Sequence, residues 1–272
     1  MKIDKIREVS RRYGEHHITA FSAQMAFFLF LSIFPLAMFI LSLASRLNLD
    51  TELFILSIQK GLPLEVSNYI INLIEDFLIN DSISLLSISG LTVLWSASRG
   101  INALMRGFNI AYGYKETRNY LRLKITGMFY TLVLIISIIV TIALPSIGAD
   151  FFSFIKKFIP ISNYLEEGFY LVRILLNILV YFFFILSMHK VLPAGKLKYR
   201  NTIYGGIFSI VGWFVLSKGF GFFVSSFTNY AAVYGGLASI VTLMMWLYFT
   251  STVMMIGAEI NSVIIEYKNR KR

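Results

Sequence analysis

Residues Ser82–Lys124 read SISLLSISGLTVLWSASRGINALMRGFNIAYGYKETRNYLRLK, and the fold turns on where this stretch puts its arginines. Its unbroken apolar part, from about Leu85 to Ala97, is too short to cross a hydrocarbon core, which takes roughly 20 residues. A span here must hold Arg99 within it and Arg106 near its exit. Trp95, Arg99, Asn102, Arg106 and Asn109 follow at steps of four, three, four and three, which sets all five on one helical face. Charged groups in a membrane helix are costly and turn to the bundle interior, a partner or a wet cavity. This face is therefore the first candidate for function.

The surrounding chain supports a membrane reading. Of 272 residues, 57% are hydrophobic and only 15% charged, against about 25% charged in a soluble domain. The expectation is an all-α integral membrane protein, residues 1–272 forming one bundle of six transmembrane helices. Zero cysteines exclude disulfides, thiolate metal sites and cysteine nucleophiles.

Residues 1–17 open with Ile3, Ile6, Val9 and Tyr13 at near-helical spacing among Lys2, Lys5, Arg7, Arg11 and Arg12, an amphipathic helix for the cytoplasmic membrane surface. The first span, Ile18–Ser45, outruns a signal-peptide core of about 7–15 residues, and Pro35 inside it should kink it. Residues 46–82 read as an outer amphipathic connection of two short helices split at Gly61 and Pro63. Beyond the opening stretch, spans are expected at Ile125–Ala149, Gly168–Met188, Ile203–Phe227 and Leu237–Ile265. The connection after Ala149 reads as an interfacial helix broken at Pro160, and residues 266–272 as a basic cytoplasmic tail.

Loop charge sets the orientation. One set of segments carries Lys2 to Arg12, Lys115 to Lys124, Lys190 to Arg200 and Lys268 to Arg272. The other holds only Arg46, Lys60, Lys156, Lys157 and Arg173, beside the acids from Asp50 to Glu167. This positive-inside pattern places both termini in the cytoplasm. The net charge of +10 thereby serves topology and anionic lipid headgroups, and gives no ground for a nucleic-acid partner.

Two further polar groups fall in the inner half by count. Glu259 lies roughly 33 Å along the last span at 1.5 Å per residue, level with Arg99 or Arg106, with Asn261 beside it and Gly257 and Ala258 permitting close helix approach. An ion pair between Glu259 and one of those arginines is the expected way to satisfy the charges. Gln24 in the first span can join the same cluster, or tie two helices together. Gly205, Ser209 and Gly212 make a small-residue seam on the fifth span, and Lys218 should snorkel outward. The only histidines, His16, His17 and His189, sit in boundary segments and build no multi-histidine metal site. No metal, cofactor or catalytic residue is expected, and no phosphate-binding loop or dinucleotide fingerprint occurs.

The blocks TAFSAQMAFFLFLSIFPL, LWSASRGINALMRGFNIAYGYKETRNYLRLK and VYGGLASIVTLMMWLYFTSTVMMIGAEINSV resemble the YihY/BrkB membrane family, in order and over nearly the whole chain. The resemblance implies a multi-pass protein of the bacterial cytoplasmic membrane. Members were long labelled ribonuclease BN; a transport role without an agreed substrate is implied instead. It brings no catalytic residues. The leading expectation is a non-enzymatic transporter or flippase for an anionic amphiphile, such as a lipid-linked phosphate, with Arg99, Asn102, Arg106, Asn109, Glu259, Asn261 and Gln24 as its polar cluster. The alternative is an envelope assembly or structural protein using 46–82 as a platform. Protein partners and oligomeric state stay open at this level.

Overall fold

In a computed structural model, residues 2–46, 67–68, 71–72, 83–156, 163–226 and 236–270 are described. Among them all regular structure is helical: α1 (Lys2–Glu15), α2 (Ile18–Arg46), α3 (Ile83–Ala111), α4 (Tyr120–Lys156), α5 (Asn163–Val191), α6 (Tyr199–Ser226) and α7 (Gly236–Asn269). Each helix from α2 to α6 packs on the next in sequence. The last one, α7, closes the ring against α6 and α2, and also reaches α3. The short α1 lies on α7 and α2.

Five helices hold segments long and apolar enough to cross a membrane: Ile18–Phe39, Tyr120–Thr141, Ile174–Val191, Tyr199–Phe222 and Ile240–Asn269. The arginine-bearing α3 is not among them. It is instead deeply packed, because its small residues let neighbours approach. A Cβ on Gly100 would lie 3.4 Å from the Met25 carbonyl of α2, and one on Gly107 would collide with the Met255 side chain of α7. Around these contacts Ile101, Leu104, Met105 and Phe108 join Ile18, Met25, Tyr130, Met188, Met255 and Ala258 in a core at one end of the bundle.

Helix α4 is longer than the span expected from the sequence. Residues 150–156 continue α4 without a break rather than starting a separate interfacial helix. At about 1.5 Å per residue α4 is then roughly 55 Å long, more than the ~30 Å hydrocarbon core, so the extra turns project past it. Pro35 lies inside α2, as its place in the first span suggests. Most of the 46–82 connection lies outside the described residues; at 67–68 and 71–72 it is helical, with Ser67 and Ile71 buried and Asn68 and Asn72 exposed.

The small-residue seam forms as its spacing suggests. A Cβ at Gly205 would strike the Gly257 carbonyl, one at Gly257 would strike Ser209 Oγ, and one at Gly212 would sit 2.7 Å from Val253. The backbones of α6 and α7 thus touch, the arrangement small residues permit in membrane bundles.

Candidate functional site

An exposed stripe that carries two arginines runs along α3. Ile88, Leu91, Trp95, Arg99, Arg106 and Ile110 all remain exposed, while from Ser96 to Ala111 the other residues are buried, apart from the half-buried Asn102. The Arg99 guanidinium lies over the Trp95 ring at 4.2 Å and over Phe28 of α2 at 5.6 Å. Arg106 Nη2 donates to Gln24 Oε1 at 2.8 Å. Neither arginine makes an ion pair among the described residues. The structure therefore does bring Gln24, Arg99 and Arg106 together, along the α2–α3 seam. Asn102 is turned away toward α4, where its buried Oδ1 abuts Gly127 without a hydrogen-bond donor.

Glu259 is elsewhere, and the expected pairing with Arg99 or Arg106 does not occur. Position 107 of α3 faces Met255 of α7. At 100° per residue, Arg99 and Arg106 are rotated roughly 80–100° from that contact. The Gly107–Met255 contact sets Glu259 about a turn beyond Arg106, and the arginine stripe points past α7.

Glu259 is instead fully buried under the N-terminal helix. One of its oxygens meets His16 Nδ1 at 2.5 Å; the other lies 3.9 Å from Arg12 Nη1 and accepts no hydrogen bond. Arg12, expected among headgroup-facing cations, is buried against α7. It donates to Ser262 Oγ at 3.2 Å, to Glu266 at 2.7 Å and to Glu8 at 2.8 Å. Hydrogen bonds from Arg11 and then Arg12 hold the Glu8 carboxyl down at about 2, well below the usual range. The corner between α1 and α2 sets the geometry: His17 adopts a left-handed φ of 52°, and the amides of Ala20 and Phe21 bond back to its carbonyl. That tight turn delivers His16 to Glu259. A sequence signal existed: Glu8, Arg12 and His16 recur at steps of four, and Glu259, Ser262 and Glu266 at three and four.

Asn109 and Asn261 spend their amides on the fold. Asn109 Oδ1 accepts from the Ala194 amide at 2.6 Å, and its Nδ2 donates to Glu116 at 2.7 Å. Helix α3 ends there in a Schellman turn, with Gly113 at φ 68°, Gly113 N bonded to the Ile110 carbonyl and Tyr114 N to the Asn109 carbonyl. The chain doubles back so that Arg118 grips Glu116 through two nitrogens and donates to the Leu192 carbonyl at 2.8 Å. Arg118 thereby holds the Glu116 carboxyl down at about 2. Asn261 Oδ1 accepts from Gly205 N at 2.7 Å and its Nδ2 donates to the Thr202 carbonyl at 3.1 Å, riveting α7 to α6. His189, also fully buried, stacks on Phe108 and meets Ser209 Oγ at 3.1 Å.

A ring of long apolar helices with a packed polar end defines a multi-pass helical membrane protein. The chain belongs to the virulence factor BrkB family, whose model matches residues 9–272. It is 31% identical over 263 residues to the ribonuclease-like protein YfkH of Bacillus subtilis (strain 168), covering 97% of this chain and 96% of that one. It is 26% identical over 186 residues to a UPF0761 membrane protein of Coxiella burnetii (strain Dugway 5J108-111), covering 65% and 64% of the two chains. No solved structure matches.

Proposed function

We propose that this protein is a transporter or flippase for an anionic amphiphile in the bacterial cytoplasmic membrane, with α3 as the sixth span and both termini cytoplasmic. The observation that carries the reading is the contrast between its arginines. Arg12 and Arg118, at the polar end of the bundle, are each consumed by carboxylates. Arg99 and Arg106, on α3, are exposed, with only aromatic and amide neighbours among the described residues. A membrane-embedded cation without an acid is costly unless it snorkels or meets an anion. A headgroup phosphate sliding along the α2–α3 seam meets Arg106 and then Arg99 while its tails stay in lipid. The ribonuclease wording of the Bacillus subtilis relative is not carried over. Glu8, Glu116, Glu259 and Glu266 are each engaged by a cation or histidine of this chain, which suits structural rather than catalytic carboxylates.

The test is translocation of a headgroup-labelled anionic phospholipid by purified protein in vesicles, read by quenching of the label from outside. Wild type should move the label faster than protein-free vesicles. Arg99→Ala and Arg106→Ala should each slow it at least tenfold with unchanged yield and melting temperature. Translocation at wild-type rate in both variants would sink the proposal; equal loss of rate and stability would make the arginines structural.

A further inference from the structure

We propose a second lipid site, apart from the α2–α3 seam: a groove beneath α1, between α6 and α7, that holds one acyl chain of an anionic phospholipid, with the headgroup at Lys5. This rests on the membrane reading but not on transport, since it shares no residue with the α2–α3 seam. The groove is open along its side and has a volume of about 600 Å³, within the range of small-ligand sites. Val9 of α1 roofs it, Phe208 of α6 forms one wall, and Ile256, Ile260 and Ile264 of α7 form the floor. Its apolar lining runs on into the exposed outer surface of α6, where Ile207, Val211 and Val215 are bare. Hydrocarbon can therefore enter sideways from the bilayer.

Charge complementarity selects the headgroup. The acids Glu8 and Glu15 of α1 are occupied by Arg11 and Arg12. Lys5, on the groove rim, has no carboxylate partner among the described residues and rests over the Tyr267 ring at 5.4 Å. The next residue, Lys268, lies over Tyr204 of α6 at 5.3 Å. Two ammonium groups without a carboxylate partner among the described residues, each beside a tyrosine, thus lie at this end of the bundle, Lys5 on the groove itself. Such a boundary favours anionic lipids, at about 1 kcal/mol per basic residue near the surface. Aromatic residues also concentrate at membrane interfaces. The Arg12–Glu266 and His16–Glu259 contacts hold α1 in place as the roof.

The experiment is native mass spectrometry of the full chain, delipidated in detergent and titrated with phosphatidylglycerol or phosphatidylcholine. Wild type should retain one phosphatidylglycerol with at least a fivefold preference over phosphatidylcholine. Lys5→Glu should abolish the preference. Ile260→Trp, which fills the groove, should abolish retention, and Val9→Trp fills it from the α1 side should the α7 change disturb folding. Ile207→Trp, outside the groove, should leave retention unchanged. Equal retention of the two lipids by wild type, or full retention in a folded groove-filling variant, would overturn the site and leave only annular lipid.

Discussion

Replacing Arg12 with Met tests how α1 is bound to the bundle. The substitution keeps most of the side-chain bulk and removes the charge 3.9 Å from Glu259. At an effective dielectric near 20, that separation is worth about 4 kcal/mol before desolvation is counted. The contacts with Glu8 and Glu266 add little: their side chains are 25% and 43% exposed, and such pairs contribute at most about 1 kcal/mol each. What dominates is Glu259, which then keeps only His16 as a cationic or hydrogen-bonding partner among the described residues. Breaking a buried pair from one side costs about 3–5 kcal/mol, while removing both partners is nearly neutral. With roughly 2–4 °C per kcal/mol for chains of a couple of hundred residues, Arg12→Met should lower the melting temperature by on the order of 10 °C. Glu259→Gln should also destabilise the chain, and the double variant should recover at least half of the combined loss. Thermal unfolding of the four proteins in one detergent measures this. Losses that add to within about 0.5 kcal/mol, the behaviour of independent sites, would refute the coupling. Arg106→Met in the Glu259→Gln background is the control, and there simple addition is expected.

Three further outcomes follow from the same geometry. Gly205→Ala forces a methyl into the Gly257 carbonyl, and should cost about 1–3 kcal/mol as overpacking does, whereas Gly219→Ala, with open space around it, should be silent in the same melt. Asn109→Leu strands the Ala194 amide and one Glu116 contact; about 1–3 kcal/mol should be lost, with faster hydrogen exchange at 112–119 and 192–198. Because the Glu116 carboxyl is held low in the fold, its contribution is complete above the unfolded value near 4.5 and fades as pH falls toward about 2. Melting temperature should drop across that window less steeply in Glu116→Gln than in wild type, and parallel profiles would contradict the Arg118 grip.

The sequence by itself determined the class of the protein and the internal order of each helix. Composition and run length marked the apolar helices. The steps of three and four put Trp95, Arg99 and Arg106 on one helical face, although that face is exposed rather than turned to the bundle interior, and Gly205, Ser209, Gly212 and Gly257 announced where backbones would touch. These are properties of one helix, or of one residue size, and they are written in one dimension. The pairing of Glu259 was not. Rise per residue set Glu259 toward the same end of the bundle as Arg106, yet height along the axis says nothing of rotation about it. That angle comes from how Gly107 admits Met255, Gly100 admits α2 and Asn261 rivets α7 to α6. Once α7 is turned so, Glu259 faces the α1–α2 corner, and His16 and Arg12 become its partners. Asn109 changed meaning for the same reason: its spacing placed it on the arginine face, while the turn at Gly113 and the neighbouring 192–198 loop engaged its amide from beyond the helix end. Only the packed bundle decides which polar groups meet, because burial makes each of them satisfy the nearest counterpart, whatever helix supplies it.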